Sequence, residues 1–450
     1  MGRGRCEPAS SEAGSRLEVA HAWLAARGAR VGGVALRVGQ GACGCGAGVY
    51  ATTAANEGTV VASFPLGLAR AGEALVPEGH ECDVSSGVVL AAWLAAHRRL
   101  GSASPFAPWL AALPAEGGAL ACWEARAADA ALHGTPLGRA ALMQRGALDA
   151  ELTSARPLFE ALLDSAGAGA DTPRCELAHD EYLHARCMVW SRSVGLPAGE
   201  GGEVEAVLPG MDFCNHAGAE ANARWEMLLG GSSEEAELGG GEAVEDGGGD
   251  RGGDDDPAAP RYALIATRPI AEGDEVTISY GVVADKTNEA LLFSYGFVED
   301  DPARDALTLT LPVRGREHMA ALAQFGLLPR VLLRRPRCVS TRSDEGDGLD
   351  KLLSEAELAA ACIVAATPER ALVLAAGEST LEARDREAAR ELMQTTVGCA
   401  LDGAEGGADG DNNAETMAAL PPGAIEAAAR YREGVAAVAR EVLEALELSG

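Results

Sequence analysis

The grouping of strand and helix signals along the chain predicts an α+β fold. Short runs typical of buried strands occur in two groups, one before residue 65 and one after residue 206. Apolar residues recur at helical spacing between these groups, from 85 to 163, and again beyond about residue 305. Segregation of strands from helices is typical of α+β proteins. At 450 residues, the chain is long enough for two domains with separate cores.

A short helix and two strands are predicted near the start of the sequence. The helix is predicted at 17–27, with Gly28 in the position of a C-terminal cap. The strands are VALRV at 34–38 and TVVASF at 59–64. The glycine-rich stretch at 39–53 is predicted to be a turn between them.

Helices are predicted over most of the region from 85 to 163, and the run EYLHARCMVWSRSVGLP at 181–197 continues the pattern. The first of these helices opens with serines, which commonly cap helix N-termini. Trp93, Trp109 and Trp123 fall in the first helical region, and we interpret them as core residues.

The stretch that suggests a function is VLPGMDFCNH at 207–216. It has the form of a buried β-segment that ends in the polar residues Asp212, Asn215 and His216. An apolar run that stops at such residues can direct polar chemistry out of a core. Taken alone, the pattern is also compatible with an ordinary strand end.

Two later stretches repeat this form. VTISYG at 276–281 ends at Tyr280, and we interpret LLFSYGFV at 291–298 as a further buried β-segment containing Tyr295. A tyrosine in a sheet is often a core residue whose hydroxyl is hydrogen-bonded, so neither tyrosine is diagnostic by itself.

Strands are also predicted at 221–229 and from residue 262, and a turn is predicted at 270–276. Between the strands, the segment from 230 to 257 is acidic and glycine-rich, and it is predicted to be disordered because it has almost no apolar residues to bury. Near the end of the sequence, helices are predicted at 317–327, 354–366, 380–397 and 423–447.

The order of these motifs resembles the SET domain of protein methyltransferases, in the branch that includes the Rubisco large-subunit lysine methyltransferase. The first part of the resemblance is the pair Asn215-His216 followed by the Tyr-Gly segment at Tyr280. The second part is an Asn, two leucines and Tyr-Gly-Phe, which stand here as Asn288, Leu291, Leu292, Tyr295, Gly296 and Phe297. Ala217 departs from the branch, in which Ser usually follows the Asn-His pair.

The resemblance implies a division into domains. A SET catalytic domain is expected at 17–300, built of small sheets with knot-like topology and split by a helical insertion at about 85–180. The acidic loop at about 230–258 would lie within it. A helical, all-α substrate-binding domain is expected at 305–450.

The resemblance also implies that the chain binds S-adenosylmethionine. The backbone of Gly46, Ala47 and Gly48 would lie along this cofactor, since glycine lets a backbone approach a ligand closely. The other residues implied to bind it are Arg192, Asp212, Asn215, His216 and Tyr280. An arginine near a helix end is otherwise often a surface or capping cation.

For catalysis, the resemblance implies Tyr280 at the reaction centre and Tyr295 as a wall of the channel for the substrate amine. A phenol oxygen can accept weak C–H···O contacts from a polarised methyl group, and an aromatic ring can bind a cation. The implied activity is protein-lysine N-methylation of a non-histone protein. Protein-histidine N-methylation and a catalytically silent protein-binding module remain as alternatives.

Composition limits the partners. The net charge of −30 argues against binding to nucleic acid and favours a protein substrate whose target lysine lies in a basic region. No apolar run reaches the length of a membrane span and no secretory signal is evident at the start, so we expect no membrane partner. We expect a monomer inside the cell, with the cytoplasm, nucleus and plastid all open.

The cysteines point to neither a disulfide framework nor a metal site. Their number, eleven, is odd, and their spacing does not repeat. Cys43 and Cys45 are close, but no second cysteine pair or histidine cluster completes a zinc site, so no metal is predicted.

Overall fold

The structure, a computed structural model, describes most of the chain. The described residues are 11–41, 44–80, 83–169, 172–197, 202–228, 259–281, 286–336, 348–376, 381–406 and 414–448. The acidic stretch predicted to be disordered, most of the connection after Gly281, and Cys43 lie outside these residues.

Helices predominate, with short strands between them. In the described residues the helices are α1 (Ser11–Ala26), α2 (Ser86–Leu100), α3 (Ala107–Ala112), α4 (Ala125–Leu132), α5 (Pro136–Ser165), α6 (His179–Arg192), α7 (Asn288–Tyr295), α8 (Arg316–Gln324), α9 (Gly348–Leu352), α10 (Glu355–Ala365), α11 (Pro368–Ala375), α12 (Ala383–Glu405), α13 (Ala414–Met417) and α14 (Ala424–Leu448). The strands are β1 (Val34–Gly41), β2 (Gly44–Ala51), β3 (Val60–Pro65), β4 (Arg70–Ala71), β5 (Ser193–Pro197), β6 (Glu203–Val207), β7 (Asn215–His216), β8 (Ala223–Leu228), β9 (Arg261–Ala266), β10 (Glu275–Ile278), β11 (Ala306–Thr310) and β12 (Arg330–Arg334). The fold is α+β, as the sequence predicts.

The chain divides into two compact units. The first comprises residues 1–117 and 147–282, and the second comprises residues 118–146 and 283–450. Among the described residues, α1 to α3, α6 and β1 to β10 belong to the first unit. The second unit contains α4, α7 to α14, β11 and β12. The domain boundaries implied by the resemblance stay a prediction.

The described strands of the first unit form three small sheets. Their orders are β1-β2-β10-β7, β3-β9-β8 and β4-β6-β5. In the first sheet β10 pairs antiparallel with β2 and parallel with β7. The turn predicted before β10 is present, with Gly273 at φ +89°, a conformation that favours glycine. Strand β10 thus joins the glycine-rich strand to the Asn-His pair.

The second unit has its own apolar core. Side chains of α4, α7, α10, α12 and α14 form one buried cluster in it. Leu292 of α7 and Tyr431 of α14 both lie in this cluster, and each is almost fully buried.

Two stretches that were predicted to be buried β-segments are not. Residues 207–216 contain the end of β6, a 3-10 helix at Met211–Phe213 and the two-residue strand β7. Residues 291–298 do not form a β-segment either. Leu291 to Tyr295 lie in helix α7, which begins after Thr287 and ends at Gly296. The Thr287 hydroxyl accepts a hydrogen bond from the Ala290 N–H, and Gly296 adopts a left-handed conformation with φ +82°. These are standard N-terminal and C-terminal helix caps, and they outweigh the strand-like composition of the apolar run.

The expectation of an all-α C-terminal part is also wrong. Strands β11 and β12 pair antiparallel, with Ala306 opposite Arg334 and Thr310 opposite Arg330. Leu307, Leu309, Val331 and Leu333 are buried by this pairing and join the core of the second unit. The helices predicted farther along the chain are present as α8, α10, α12 and α14.

Two further elements differ from the sequence prediction. The glycine-rich stretch forms β1 and β2 of an antiparallel hairpin over most of its length, with Gly46 opposite Gly39. Helix α6 ends at Arg192, and residues 193–197 form strand β5. In both places pairing with a neighbouring strand decides the conformation, and such pairing is not visible in a single segment.

Candidate cofactor site

The candidate site lies on the sheet β1-β2-β10-β7 of the first unit. In strand β10, Val276 is fully buried, and Thr277 and Ile278 pair with Asn215 and His216 of β7. On the other side, Glu275 and Val276 pair with residues of β2. Strand β10 pairs with β2 on one side and with β7 on the other. Only this strand therefore separates the Asn-His pair from the glycine-rich strand.

Asn215 is held by hydrogen bonds to both neighbouring strands. Its Nδ2 donates to the Ala47 carbonyl oxygen at 3.1 Å and to Glu275 Oε1 at 2.7 Å. These contacts use the amide nitrogen, which directs the amide oxygen of Asn215 away from Glu275. The half-buried Glu275 carboxylate is a charged acceptor and therefore makes the stronger of these bonds.

Gly48 permits this arrangement sterically. A Cβ at position 48 would lie 2.6 Å from Glu275 Oε1 and 3.1 Å from Asn215 Nδ2. Gly46 differs, because a Cβ there would meet no atom within 4 Å, and the residue is exposed. The backbone beside Gly46 therefore faces open space.

His216 and Tyr280 form a second contact pair. His216 is 2% exposed, and its Nδ1 accepts a hydrogen bond of 2.9 Å from the Tyr280 backbone N–H. Since Nδ1 is an acceptor, neutral His216 carries its proton on Nε2. The ring centroids of His216 and Tyr280 are 5.0 Å apart. The imidazole thus fixes the backbone at the point where the chain leaves β10.

The phenol of Tyr280 is directed toward the loop that precedes Asn215. Its Oη donates to the Cys214 carbonyl oxygen at 2.9 Å, and the residue is half-buried. The neighbouring Cys214 thiol is buried, and burial raises its pKa above the ordinary range, so it remains protonated and unreactive at neutral pH. Tyr280, Cys214, Asn215 and His216 therefore form one connected group.

Asp212 and Arg192 are engaged with each other. The Asp212 carboxylate is 1% exposed, and Arg192 Nη1 lies 3.3 Å from its Oδ2 and donates to its backbone carbonyl at 2.6 Å. Trp109 Nε1 and the Gly210 N–H also donate to the carboxylate. Burial raises the pKa of Asp212, and Arg192 and these donors oppose that effect. Both side chains stabilise the loop before Asn215.

Tyr295 belongs to the second unit. It is the last residue of α7, it is half-buried, and burial raises the pKa of its phenol. Its ring lies 5.9 Å from the Phe297 ring, centroid to centroid, and Lys286 Nζ lies 5.6 Å from the centre of the Tyr295 ring. The second motif therefore presents an aromatic surface that already contacts a cation.

Asn288 of the same motif has a structural role. Its Nδ2 donates to the Glu299 carbonyl and to Asp305 Oδ1, and its Oδ1 accepts from the Glu299 N–H. It is 1% exposed, so these bonds satisfy a buried amide. They hold the segment after Tyr-Gly-Phe against the start of α7.

Sequence reasoning missed Glu275 and the polar role of Trp109. The sequence signal for Glu275 is its position directly before the predicted strand at 276–281. Its pairing with Tyr50 appears only in the structure. Trp109 was correctly predicted to be buried, but its indole N–H also binds Asp212. Among the described residues, no group of three or more metal-ligating side chains occurs.

Strand β10 therefore lies between a glycine-rich strand and the Asn-His pair, and Tyr280 follows shortly after its end. No protein-family model matches the chain, and no curated protein is significantly similar in sequence. Solved structures do match over nearly the whole chain. One is the SET domain of LSMT bound to lysine and AdoHcy, with a TM-score of 0.68 and 16% identity over 98% of this chain and 92% of that one.

A second solved structure, Rubisco LSMT bound to AdoMet, matches with a TM-score of 0.66 and 17% identity over 96% of this chain and 92% of that one. A third, the LSMT SET domain bound to MeLysine and AdoHcy, matches with a TM-score of 0.67 and 16% identity. The chain therefore has the fold of the Rubisco LSMT SET-domain structures.

Proposed function

We propose that this chain is a protein-lysine N-methyltransferase that uses S-adenosylmethionine. The observation that carries the proposal is the convergence of Asn215, His216 and Tyr280, through strand β10, beside the glycine-rich strand. The similar solved structures support it, because they hold AdoMet or AdoHcy, and two of them hold lysine or methyllysine.

The residues of the site suit a cofactor with positive charge. S-adenosylmethionine has a sulfonium and an ammonium group, and Glu275 supplies a half-buried carboxylate next to Asn215. The open space beside Gly46 can admit a ligand against bare backbone. We therefore assign the cofactor to Gly46, Ala47, Gly48, Asn215 and His216.

Arg192 and Asp212 have an indirect role in this proposal. Their mutual contact and the Trp109 donor hold the loop that carries Asn215 and His216. Their role is to position the cofactor-binding residues, and this role requires no direct contact between either side chain and the cofactor.

The bound cofactor supplies an activated methyl group, so the protein needs no nucleophilic side chain. Tyr280 is the residue we assign to the reaction centre, with its phenol oxygen fixed by the Cys214 carbonyl. A fixed oxygen can accept C–H···O contacts from a polarised methyl group without reorganising. Tyr295 is proposed to bind the substrate amine with its ring face.

The substrate we propose is a lysine in a basic region of a non-histone protein. Removal of the lysine from water disfavours its ammonium form and so promotes the neutral amine that attacks the methyl group. The acidic net charge of the chain favours association with basic sequences.

The test combines cofactor titration by calorimetry with transfer of labelled methyl groups to proteins of a cell lysate. We expect binding of S-adenosylmethionine and label recovered as methyl-lysine after acid hydrolysis. Asn215→Ala should weaken cofactor binding by roughly 5- to 30-fold, equivalent to about 1 to 2 kcal/mol, because the hydrogen bonds that hold Ala47 and Glu275 in the geometry of the site are lost.

Two results would contradict the proposal. Absence of cofactor binding would instead favour a silent protein-binding module, and label recovered as methyl-histidine would exclude lysine as the target. Unchanged affinity in Asn215→Ala would remove that residue from the cofactor site.

A further inference from the structure

Tyr50 of strand β2 lies on the same face of the sheet as Gly46 and Gly48. Alternate residues of a strand share a face, so these three positions point the same way. The ring of Tyr50 lies close to Gly48, because a Cβ there would be 3.1 Å from Tyr50 Cε2. Gly48 is buried, whereas Gly46 is exposed. The tyrosine side chain therefore covers part of this face and leaves the backbone of Gly46 open.

The hydroxyl of Tyr50 reaches the neighbouring strand β1 beside this open backbone. A Cβ at Gly39 would overlap Tyr50 Oη, so the hydroxyl occupies the space above that glycine. Gly39 is the cross-strand partner of Gly46 in the hairpin of β1 and β2. Paired residues point to the same face, and their strands are about 4.8 Å apart. The hydroxyl is therefore about one strand spacing from the exposed Gly46 backbone.

Opposite charges flank Tyr50 on its two sides. From β1, the exposed Arg37 places its guanidinium over the ring of Tyr50, 5.9 Å from the centroid. From β10, Glu275 is the cross-strand partner of Tyr50, and its Oε1 accepts a hydrogen bond from Asn215 Nδ2. A ligand that lies against Gly46 thus meets a phenol hydroxyl, a positive charge and a negative charge on one face.

The phenol of Tyr50 keeps its proton at neutral pH. Burial raises the pKa of Tyr50, the charge of Glu275 adds to this effect, and the charge of Arg37 opposes it. A protonated phenol donates a hydrogen bond as well as accepting one. The hydroxyl can therefore donate to an oxygen atom of a ligand.

We propose that Tyr50 is a specificity-determining residue of the cofactor site, and that its hydroxyl donates a hydrogen bond to the carboxylate of the cofactor's amino-acid group. The inference rests on the proposed function, which places S-adenosylmethionine against Gly46. The charge of Arg37 favours the same carboxylate, and the charge of Glu275 favours the ammonium group beside it. A ligand that lacks the carboxylate does not make the contact with Tyr50.

The test compares two ligands that differ only in this carboxylate, S-adenosylmethionine and decarboxylated S-adenosylmethionine. Calorimetry on the full-length protein measures the affinity for the first, and displacement of the first ligand measures the affinity for the second. We expect Tyr50→Phe to bind S-adenosylmethionine roughly 5- to 20-fold more weakly, because one hydrogen bond to a charged oxygen is lost. Its affinity for the decarboxylated ligand should stay within about twofold of the wild type.

Tyr262→Phe is the matched control, because Tyr262 lies on strand β9 of the same unit. It should bind both ligands like the wild type. The unfolding temperature of Tyr50→Phe should equal that of the wild type, since the ring beside Gly48 is retained.

Arg37→Gln is predicted to act in the same direction. It should weaken binding of S-adenosylmethionine several-fold and leave binding of the decarboxylated ligand nearly unchanged, because only the first ligand carries the negative charge. Arg224→Gln, at an exposed arginine on strand β8, is the control and should change neither affinity.

Three results would overturn the inference. An equal loss of affinity for both ligands in Tyr50→Phe would assign the phenol to packing, and unchanged affinity for both would remove it from the site. Either result leaves the proposed function standing, because the wild type still binds the cofactor. A wild-type protein that binds neither ligand would refute both the inference and the proposed function.

Discussion

Tyr280 links the end of strand β10 to the loop that carries the Asn-His pair. Its backbone N–H binds His216, and its phenol binds the Cys214 carbonyl. A tyrosine fixed at both ends needs no rearrangement to act on a bound methyl group, which is the physical basis of its proposed role.

Tyr280→Phe is predicted to lower the rate of methyl transfer and to leave cofactor binding nearly unchanged. The ring and its packing remain, and only the oxygen is lost. We expect a loss of about 10²-fold in kcat, the size typical when one polar group is removed from a preorganised site. Labelled-methyl kinetics and calorimetry measure the two effects.

Tyr262→Phe is the matched control for this prediction. Tyr262 lies on strand β9 of the same unit, and its ring packs 6.4 Å from that of Trp225. The methyl-transfer activity of Tyr262→Phe should equal that of the wild type. Full activity in Tyr280→Phe would remove that phenol from the mechanism.

The glycines of strand β2 are predicted to respond differently to the same substitution. Gly46→Ala should not change the unfolding temperature, because the added methyl group meets open space. If a cofactor lies along this backbone, the methyl group should lower its affinity by about tenfold, or 1.4 kcal/mol. Differential scanning fluorimetry and calorimetry give the two values.

Gly48→Ala is the contrasting variant. Its methyl group would come within 2.6 Å of Glu275 Oε1, so both the unfolding temperature and the cofactor affinity should fall. Unchanged cofactor affinity in Gly46→Ala would show that no ligand lies against that residue.

At the scale of elements, helix α7 is defined by its ends. Thr287 caps its first turn, and Gly296 ends it in the left-handed conformation. Position 296 requires glycine for a second reason besides its left-handed backbone. A Cβ there would lie 1.9 Å from the Gly118 carbonyl oxygen. The Tyr-Gly-Phe motif therefore has a glycine for steric reasons.

Gly296→Ala is predicted to destabilise the protein more than Gly326→Ala. Gly326 also has a positive φ, +63°, but a Cβ there meets no atom within 4 Å. Gly326→Ala should thus cost only the left-handed backbone, about 1 to 2 kcal/mol. Gly296→Ala should cost at least about 1 kcal/mol more, measured by denaturant unfolding. Equal losses of unfolding free energy in Gly296→Ala and Gly326→Ala would show that the segment containing Gly118 moves aside.

The packing of α2 on α3 contains a buried histidine. His97 of α2 lies 4.6 Å from the Trp93 ring and 5.3 Å from the Phe106 ring, centroid to centroid. Its Nδ1 is 3.0 Å from Ser104 Oγ. Burial, assisted by the charge of Arg70, lowers the pKa of His97 from 6.5 to about 4.

Stability is therefore predicted to fall as the pH is lowered from about 7 toward 4. The folded state favours neutral His97, whereas the unfolded chain takes up a proton once the pH falls below 6.5. At pH 5 the loss from this residue is at most about 2 kcal/mol. Denaturant unfolding of wild type and His97→Gln at about pH 7 and 5 measures it.

The contribution of His97 is the part of the pH effect that disappears in His97→Gln. His179→Gln, at an exposed histidine, serves as the control and should retain the wild-type difference. An identical pH effect in wild type and His97→Gln would contradict the assignment.

At the scale of the whole molecule, charge is the property with functional consequences. The chain carries a net charge of −30. Such an excess attracts basic sequences over distances comparable to the Debye length, about 10 Å at 0.1 M salt. Among the described residues, no helix is both long and apolar enough to cross a membrane.

The KM for a basic substrate peptide is predicted to rise several-fold between about 0.05 and 0.3 M salt, because salt screens the attraction. The kcat should change little, since screening acts on association more than on the closed site. A peptide with the same target lysine and neutral flanks is the control, and its KM should be nearly independent of salt. The same salt dependence for both peptides would exclude electrostatic selection of the substrate.

Some of the described cysteines are free thiols and others are disulfide-bonded, and the sequence did not indicate which. Cys175, Cys214, Cys362 and Cys399 are free thiols. Cys122 and Cys187 are disulfide-bonded, although the scattered spacing of the cysteines gave no sign of it. Spacing along the chain reports neither the distance between cysteines in space nor their orientation, and a disulfide requires both to be suitable.

The sequence by itself determined the α+β class, about half of the described strands of the first unit and the helices near the end of the chain. It also identified the polar residues at the ends of the apolar runs. These features are local, because periodicity, caps and turn residues act over a few positions. The local pattern alone did not single out Asn215, His216 and Tyr280; the resemblance of the motif order to SET domains did.

Only the tertiary structure decided how these residues meet. The Asn215 amide reaches the Ala47 carbonyl across 168 positions, and the Trp109 indole reaches Asp212 across 103. It also decided that the run at 291–298 is a helix, since an apolar run of that length suits either period until its caps and neighbours are known. Partners so distant in sequence leave no local pattern, because they are chosen by the packing of the whole unit.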